Sequence, residues 1–217
     1  MTDLWTAVDD YLVETLLPRD LALEGAQTRS REAGLPEIAV APNQGKLLNL
    51  LATIAGARRI LEVGTLGGYS TIWLARALPK GGHLTTLELD PGNAAVARAN
   101  LDEAGVGGCV EILVGPALDS LATLKDPFDL VFIDADKTNN AAYVEEALRL
   151  SHPGTVIVVD NSVREGKVVD ATSTDEAIIG TRKMFAFLSG HPRIDATAVQ
   201  TVGSKGHDGF TLALVRS

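Results

Sequence analysis

The stretch that decides the fold runs Ile60-Leu61-Glu62-Val63-Gly64-Thr65-Leu66-Gly67-Gly68-Tyr69-Ser70. It reads as an apolar strand, a glycine-rich turn and the start of a helix. Glycine permits positive φ and close backbone approach, and a helix start offers free N–H groups to a ligand. In open α/β sheets, ligands bind at the carboxyl ends of the strands, where the strand order reverses. The stretch therefore predicts a ligand-binding loop at that edge of a parallel sheet.

Outward from this stretch, short β-branched runs alternate with segments that carry apolar residues at helical spacing. This alternation builds a parallel sheet with helices on both faces, and strands that are apolar on both sides are typical of such sheets. The predicted strands are Arg59–Val63, His83–Leu87, Val110–Val114, Leu130–Ile133 and Thr155–Val159, and the helices between them are Ser70–Ala77, Gly92–Ala104, Ala117–Leu124 and Asn140–Leu150.

The C-terminal part predicts a helix over Asp175–Leu188 and two strands, Arg193–Gln200 and Thr211–Val215. Their short connection, through Gly203, Gly206 and Gly209, favours an antiparallel hairpin because a parallel crossover needs about a dozen residues. We therefore predict a Rossmann-like, doubly wound α/β fold. Its sheet has seven strands, mostly parallel, and ends in an antiparallel hairpin.

Before Ala57 the sequence reads as helices, at Leu4–Leu16, Arg19–Ala33 and Asn43–Ile54. No internal repeat or linker divides the chain. We therefore predict one domain over residues 1–217, in which residues 57–217 form the Rossmann-like core. Residues 1–56 would cap the strand ends or form a surface for a partner subunit.

Composition narrows the possible functions. The chain has 217 residues, of which 46% are hydrophobic and 22% charged, as expected of one globular domain. A formal charge of -9 and the lack of a basic run argue against a nucleic-acid partner. The single Cys109, the absence of a signal-peptide pattern and the absence of an apolar run of ~20 residues predict a cytoplasmic protein without membrane association.

The glycine loop differs from that of a dinucleotide-binding site. Its spacing is G-x-x-G-G, with Leu66 at the position of the middle glycine of the G-x-G-x-x-G motif. Glu62 would repel a pyrophosphate and better suits a cationic sulfonium with its amino group. Glu88 follows Gly64 by 88 − 64 = 24 positions, near the offset of ~20 at which an acid binds ribose hydroxyls. A tight turn without a ligand is the alternative interpretation.

Polar residues follow two further strands. Asp134-Ala135-Asp136-Lys137 ends the fourth strand and Asp160-Asn161 ends the fifth, so both clusters belong at the same edge as the glycine loop. Carboxylate and amide oxygens favour hard cations such as Mg²⁺, Mn²⁺ or Ca²⁺. Each acid alone is equally typical of a solvated loop or a helix cap. If a metal binds here, a desolvated Lys137 becomes a candidate proton acceptor.

Several of these motifs together resemble a known family, the metal-dependent class I S-adenosylmethionine O-methyltransferases. This family includes catechol and caffeoyl-CoA O-methyltransferases and many bacterial relatives. The resemblance runs from about Pro42 to the C-terminus. It rests on P-N-Q-G-K-L-L, L-E-V-G-T-L-G-G-Y-S, G-P-A-L, F-I-D-A-D-K-T-N, and V-D-N followed by G-K-V.

The resemblance implies roles for individual residues. Asp134, Asp160 and Asn161 would bind the metal, which we expect to be Mg²⁺, with Mn²⁺ or Ca²⁺ as alternatives. Lys137 would be the catalytic base and, with Asn139 and Arg164, would face the substrate. The residues implied for the cofactor S-adenosylmethionine are Val40, Glu62, Gly64, Thr65, Ser70, Glu88, Ala117, Asp134 and Asp136. Family members commonly form homodimers.

The chain also departs from the family. Asn140 stands where an aromatic residue often follows D-A-D-K-x-N, and the segment Ser162 to Gly166 lacks the aromatic residue typical of caffeoyl-CoA enzymes. We therefore predict metal-dependent O-methylation of a small catechol-like or polyhydroxylated aromatic substrate. Two alternatives are a nicotinamide-dependent oxidoreductase, against which Leu66 argues, and a non-catalytic S-adenosylmethionine-binding subunit, against which the intact metal ligands argue.

Overall fold

A seven-stranded sheet forms the centre of the protein in the computed structural model, which describes residues 2–217. Met1, the first residue of the predicted domain, lies outside the described residues. The strands are β1 (Arg59–Val63), β2 (His83–Glu88), β3 (Val110–Val114), β4 (Phe128–Ile133), β5 (Ser151–Val159), β6 (Ile194–Gly203) and β7 (Gly206–Val215). Their order is β3-β2-β1-β4-β5-β7-β6; the first five are parallel and β7 is antiparallel to β5 and β6. The predicted fold class is confirmed.

Helices cover both faces of the sheet. They are α1 (Thr2–Leu16), α2 (Leu21–Glu32), α3 (Pro42–Ile54), α4 (Tyr69–Ala75), α5 (Pro91–Glu103), α6 (Ala117–Thr123), α7 (Asn140–Arg149) and α8 (Glu176–Gly190). Pro42 begins α3 because the first turn of a helix leaves its N–H groups unpaired and proline has none to lose. Within residues 2–217, no helix combines the length and apolar character needed to cross a membrane.

The two faces of the sheet form two separate cores. In β4, Leu130 and Phe132 pack on one face while Val131 and Ile133 pack on the other, and all four are fully buried. Side chains alternate across a strand, so a strand that is covered on both faces needs apolar residues at every position. This requirement explains why the β4 sequence shows no polar alternation.

The C-terminal hairpin has a tighter turn than the glycine pattern predicted. Gly203 pairs with Gly206, so only two residues connect β6 and β7, and Gly206 and Gly209 lie inside β7. A Cβ at Gly209 would lie 2.1 Å from the carbonyl oxygen of Val199 on the paired strand. Gly209 therefore permits the two strands to approach closely, and the prediction that it belongs to the connection was wrong.

The strand order reverses between β1 and β4, and this point shapes the site. The Asp134 N–H donates to the Val63 carbonyl at 2.8 Å, and the Gly64 N–H donates to the Leu87 carbonyl at 3.0 Å. Gly64 has φ +101°, and a Cβ there would lie 2.1 Å from the Asp134 carbonyl oxygen. Only glycine fits where the chain leaves β1.

We expect Gly180→Ala to destabilise the fold. Gly180 packs α8 against residues 137–139, and an added Cβ would lie 2.3 Å from the Lys137 carbonyl oxygen and 2.7 Å from the Thr138 Cα. These are backbone atoms that cannot move cheaply, so we expect a loss of about 1–3 kcal/mol in the free energy of unfolding, measured by urea denaturation. In the matched control Gly190→Ala, at the end of the same helix, no atom lies within 4 Å of the new Cβ. Equal stability of the two variants would contradict this packing.

Candidate active site

A large cavity of about 1250 Å³ opens beyond the carboxyl ends of β1, β2, β4 and β5. It brings together residues predicted for the cofactor, the metal and the substrate, most of which lie at these strand ends or in the segments that follow them. The predicted residues that line it are Val40, Gly64, Thr65, Ser70, Glu88, Ala117, Asp134, Asp136, Lys137, Asn139, Asp160, Asn161 and Arg164.

Glu62 does not line this cavity and lies fully buried beneath it. Its carboxylate accepts hydrogen bonds from the hydroxyls of Ser70 at 2.6 Å, Thr71 at 2.5 Å and Thr86 at 2.7 Å. Burial raises the pKa of Glu62 to about 7, against the opposing effect of these three hydroxyls; the nearby charge of Asp134 raises it further. Glu62 therefore ties the first turn of α4 to β2 and supports the glycine loop from below.

Glu88 shapes the glycine loop from the end of β2. One carboxylate oxygen accepts the Leu66 N–H at 2.7 Å, and the other accepts the Asp90 N–H at 3.0 Å and the Asn93 amide at 3.2 Å. The first bond stabilises Leu66 in a left-handed conformation, with φ +49°. A carboxylate has about four acceptor positions. Glu88 therefore retains capacity for a ligand hydroxyl in the cavity.

Helices α2 and α5 hold the other side of the loop, a contact that the sequence analysis missed. The Asn100 amide donates to the Gly67 carbonyl at 2.8 Å, while Arg29 Nε donates to Asn100 Oδ1 at 2.7 Å. A Cβ at Gly67 would lie 2.1 Å from Ser30 Oγ. The N-terminal region thus packs directly on the predicted cofactor loop.

Two carboxylates meet at the opposite wall of the cavity. Asp134 follows β4 and pairs with Lys137, whose Nζ lies 2.8 Å from Asp134 Oδ1. Asp160 follows β5 and accepts the Asn161 N–H at 2.8 Å. Burial raises the pKa of Asp160 well above its usual range, and the charge of Asp134 adds to the shift; Lys137 and hydrogen bonds from Asn161 and Gln44 oppose it. The two acids therefore repel each other across a poorly solvated space.

The chemistry of these groups suits a hard cation. Among residues 2–217, no group of three His, Cys, Asp or Glu side chains is arranged to hold a metal ion, so a site here consists of two carboxylates and the Asn161 amide. Oxygen ligands of this kind are those that Mg²⁺ binds, usually together with waters and substrate oxygens. A divalent cation would also relieve the repulsion that raises the pKa of Asp160. The residues present therefore fit a divalent cation.

Asp136 is fixed by two neighbours. Tyr143 donates its hydroxyl to Asp136 Oδ1 at 2.5 Å, and the Asn139 amide donates to Asp136 Oδ2 at 2.7 Å. Burial, together with the Asp136 carboxylate, raises the pKa of Tyr143. Asn139, predicted to face the substrate, lines the cavity but is also bonded to Asp136. The sequence analysis gave Tyr143 no role.

Segments that are distant in sequence, α1, α3 and the hairpin turn, together line one side of the cavity. Asp9 of α1 accepts the Asn43 amide at 2.9 Å and the Ser204 N–H at 2.8 Å, which connects α3 to the hairpin turn. Lys205 in that turn donates to the Glu37 carbonyl at 3.2 Å. Asn43 could have been predicted as a cavity residue, because it lies in the P-N-Q-G-K-L-L motif. Asp9 and Lys205 lie in no such motif, so the sequence around them does not indicate their role.

Comparison with known proteins agrees with this geometry. The model of a family described as O-methyltransferase matches residues 19–216. A protein named catechol O-methyltransferase from Niastella koreensis is 51% identical over 98% of both chains, and one with the same name from Mycobacterium tuberculosis is 55% identical over 96% of this chain and 95% of that one. The crystal structure of the O-methyltransferase TomG from Streptomyces achromogenes, in complex with SAM, superposes with a TM-score of 0.97 at 50% identity, covering 100% of this chain and 99% of that one. The chain therefore belongs to the O-methyltransferase family.

Proposed function

We propose that the protein transfers a methyl group from S-adenosylmethionine to a hydroxyl of a small catechol-like or polyhydroxylated aromatic compound, with a divalent metal ion. One observation carries the proposal. Asp134 and Asp160 line the same cavity as the glycine loop and Glu88, so the residues proposed for the metal and those proposed for the cofactor share one space. The complex of TomG with SAM supports the donor, and the names of the two catechol O-methyltransferases support the acceptor class.

The donor would occupy the side of the cavity formed by the glycine loop. S-adenosylmethionine supplies an electrophilic methyl group on a sulfonium. Glu88 would accept hydrogen bonds from the ribose hydroxyls, and the backbone at Gly64 and Thr65 would approach the ligand closely. Ala117, at the start of α6, would contact the adenine through its backbone. Glu62 would act indirectly, because its three hydroxyl donors fix the loop and the first turn of α4.

The metal would be held by Asp134, Asp160 and Asn161, and we expect Mg²⁺, with Mn²⁺ or Ca²⁺ as alternatives. When bound, it would act as a Lewis acid that favours the ionised form of an acceptor hydroxyl and orients a vicinal diol. Orientation of the reacting oxygen toward the methyl group is a large effect, because positioning alone contributes ~7–11 kcal/mol in favourable cases. A vicinal diol exploits such a site best, which favours catechol-like acceptors.

Lys137 is the proposed base for the acceptor hydroxyl. Its side chain is only 8% exposed and its ammonium is paired with Asp134, so it stands beside the proposed metal ligands in a poorly solvated position. The same contact fixes the amine in one orientation. To act as the base, Lys137 would first lose its own proton to solvent, and the neutral amine would then take the hydroxyl proton at Nζ.

The other two candidate functions are less favoured. Leu66 occupies the position of the middle glycine of a dinucleotide site, and Glu88 engages its N–H, which leaves that N–H unavailable to a pyrophosphate. This argues against a nicotinamide-dependent oxidoreductase. A non-catalytic cofactor-binding subunit would have no need of the buried Asp160, the half-buried Asp134 and a buried lysine across from the cofactor loop.

The N-terminal helices have two proposed roles within a single domain. Gln27, Ser30 and Gln44 line the cavity, so α2 and α3 would close the active site. Helix α1 exposes an apolar stripe, in which the exposed fractions are Leu4 66%, Val8 47%, Tyr11 66% and Leu12 39%. An exposed stripe of this kind favours a subunit contact, and we propose a homodimer formed through α1. The cytoplasmic location stays a prediction.

We expect Glu88→Ala to weaken S-adenosylmethionine binding. Loss of the carboxylate removes the acceptor for the ribose and releases the Leu66 N–H that shapes the loop. An unpaired buried donor costs about 1–3 kcal/mol, so affinity measured by calorimetry should fall roughly tenfold to a hundredfold. Glu103→Ala, an exposed glutamate on α5, is the matched control. Unchanged affinity in a folded Glu88→Ala protein would remove Glu88 from the cofactor site.

We expect chelation by EDTA to abolish turnover, and Mg²⁺ or Mn²⁺ to restore it. Asp160→Ala should have the same effect by removing a charged ligand, and calorimetric titration with Mn²⁺ should detect no binding to that variant. Donor binding should largely survive, because it depends on the opposite wall of the cavity. Asp126→Ala, an exposed aspartate before β4, is the control. Full activity in protein shown by elemental analysis to lack metal would contradict the mechanism.

We expect Lys137→Met to lower the rate without removing the metal. A general base contributes a factor of ~10²–10⁴, so kcat at neutral pH should fall by about that amount while Mn²⁺ affinity is retained. The loss should shrink as the pH rises, because more of the acceptor hydroxyl ionises without help. Lys125 is exposed and precedes β4, so Lys125→Met is the control for the loss of one positive charge. A pH-independent loss accompanied by weaker metal binding would indicate a purely structural role.

A further inference from the structure

The loop that follows β5 holds Arg164 in a fixed and unusual conformation. Arg164 has φ +57°, in the left-handed region that non-glycine residues seldom adopt. Asp208 of β7 stabilises it by accepting the N–H groups of Val163 at 3.0 Å and Arg164 at 2.9 Å on one carboxylate oxygen. The backbone that carries Arg164 is therefore fastened to the sheet.

Arg164 lines the cavity, and its guanidinium is incompletely paired. Its Nε is buried and forms no hydrogen bond, while Lys167 and, less strongly, the positive charge of Arg164 lower the pKa of the neighbouring Glu165. The acids closest in sequence or contact are engaged elsewhere, since Asp208 accepts the two backbone N–H groups and Glu165 pairs with Lys167 at 2.9 Å. A buried cationic donor without an acceptor is costly, and it suggests that a ligand completes the site.

Charge is distributed unevenly around the cavity. The strand ends contribute the acids Glu88, Asp134 and Asp160. The rim formed by the loop after β5 and the hairpin turn contributes Arg164 and Lys205, whose Nζ donates to the Glu37 carbonyl oxygen. The acids on this side are engaged by protein donors: Asp9 and Asp208 each accept two hydrogen bonds, and Glu37 pairs with Arg31 at 3.8 Å. A ligand that reaches from the strand ends to this rim would meet acidic groups at one end and cationic groups at the other.

We propose that Arg164 forms an anion subsite and that the acceptor is a hydroxylated aromatic compound that bears a carboxylate. This inference rests on the proposed function, which assigns the hydroxyl end of the acceptor to Asp134, Asp160 and Asn161. Arg164 follows Asn161 by three residues, a span of at most about 10–11 Å. That is the scale of one aromatic ring with a short substituent. Guanidinium groups bind carboxylates with two parallel hydrogen bonds, which would also orient the ring.

The test compares two acceptors that differ in one ring substituent, which is a carboxylate in 3,4-dihydroxybenzoate and a methyl group in 4-methylcatechol, and each variant is compared with the unmodified protein on the same acceptor. In Arg164→Met we expect KM for 3,4-dihydroxybenzoate to rise roughly tenfold to a hundredfold, the usual effect of losing a charged hydrogen bond. KM for 4-methylcatechol and kcat for both acceptors should change little. Arg164→Lys should recover part of the preference because it retains the charge.

Lys183→Met is the control, since it removes one positive charge at an exposed residue of α8 outside the cavity. An equal loss for both acceptors in Arg164→Met, or the same selective loss in Lys183→Met, would overturn the subsite. Calorimetric measurement of the binding of both compounds, in the presence of S-adenosylhomocysteine and Mg²⁺, tests the anion subsite separately from the proposed methyl transfer. If neither compound is methylated, the proposed function is wrong. The subsite proposal is then judged from calorimetry alone: it is supported if Arg164→Met weakens the binding of 3,4-dihydroxybenzoate, and contradicted if that binding is unchanged.

Discussion

The structure depends on the close approach of β1 and β4 where the strand order reverses. The Asp134 N–H donates to the Val63 carbonyl, and the Asp134 carbonyl oxygen occupies the space that a side chain at position 64 would need. This contact joins the glycine loop to the first acid of the opposite wall. Because the hydrogen bonds of the sheet fix the ends of both strands, Gly64 and Asp134 are held at a set separation. Methyl transfer needs that rigidity, since its two reacting atoms must be aligned.

The buried acids near this contact differ in the hydrogen bonds and charges that surround their carboxylates. Glu62 is surrounded by three hydroxyl donors and Glu88 by two backbone N–H groups and an amide, so both are largely satisfied within the protein. Asp160 is opposed by the charge of Asp134, which raises its pKa together with burial. Burial and the charge of Asp134 also raise the pKa of Glu62, so the two acids differ in access: Glu62 is enclosed by protein donors, whereas Asp160 lines the cavity, as Glu88 does. An acid with a raised pKa that lines a cavity is typical of a functional site.

Sequence alone predicted the strands and helices to within a few residues, because hydrophobic period and glycine turns are local signals. It also grouped Asp134 and Asp160 correctly, since the carboxyl ends of parallel strands meet at one edge. The burial of Glu62 was not foreseen: alternation along β1 directs it toward the same face as Ile60, where the first turn of α4 covers it, and its role toward the cofactor stays a prediction. The role of Asp9 could not be predicted from the sequence, because its hydrogen bond with Ser204 joins residues 195 positions apart.

The two ends of the cavity differ in how they are built, and the difference bears on specificity. The residues proposed for the donor and the metal mostly follow strands whose positions the sheet fixes. The rim opposite them is formed by the loop after β5, the hairpin turn and α1, which are joined by side-chain bonds from Asp9 and Asp208. Loops accept substitution more readily than the strands that carry them. Changes at positions such as Arg164 can therefore alter the acceptor while the distance between the glycine loop and Asp134 stays fixed, which lets one methyl-transfer site serve different aromatic substrates.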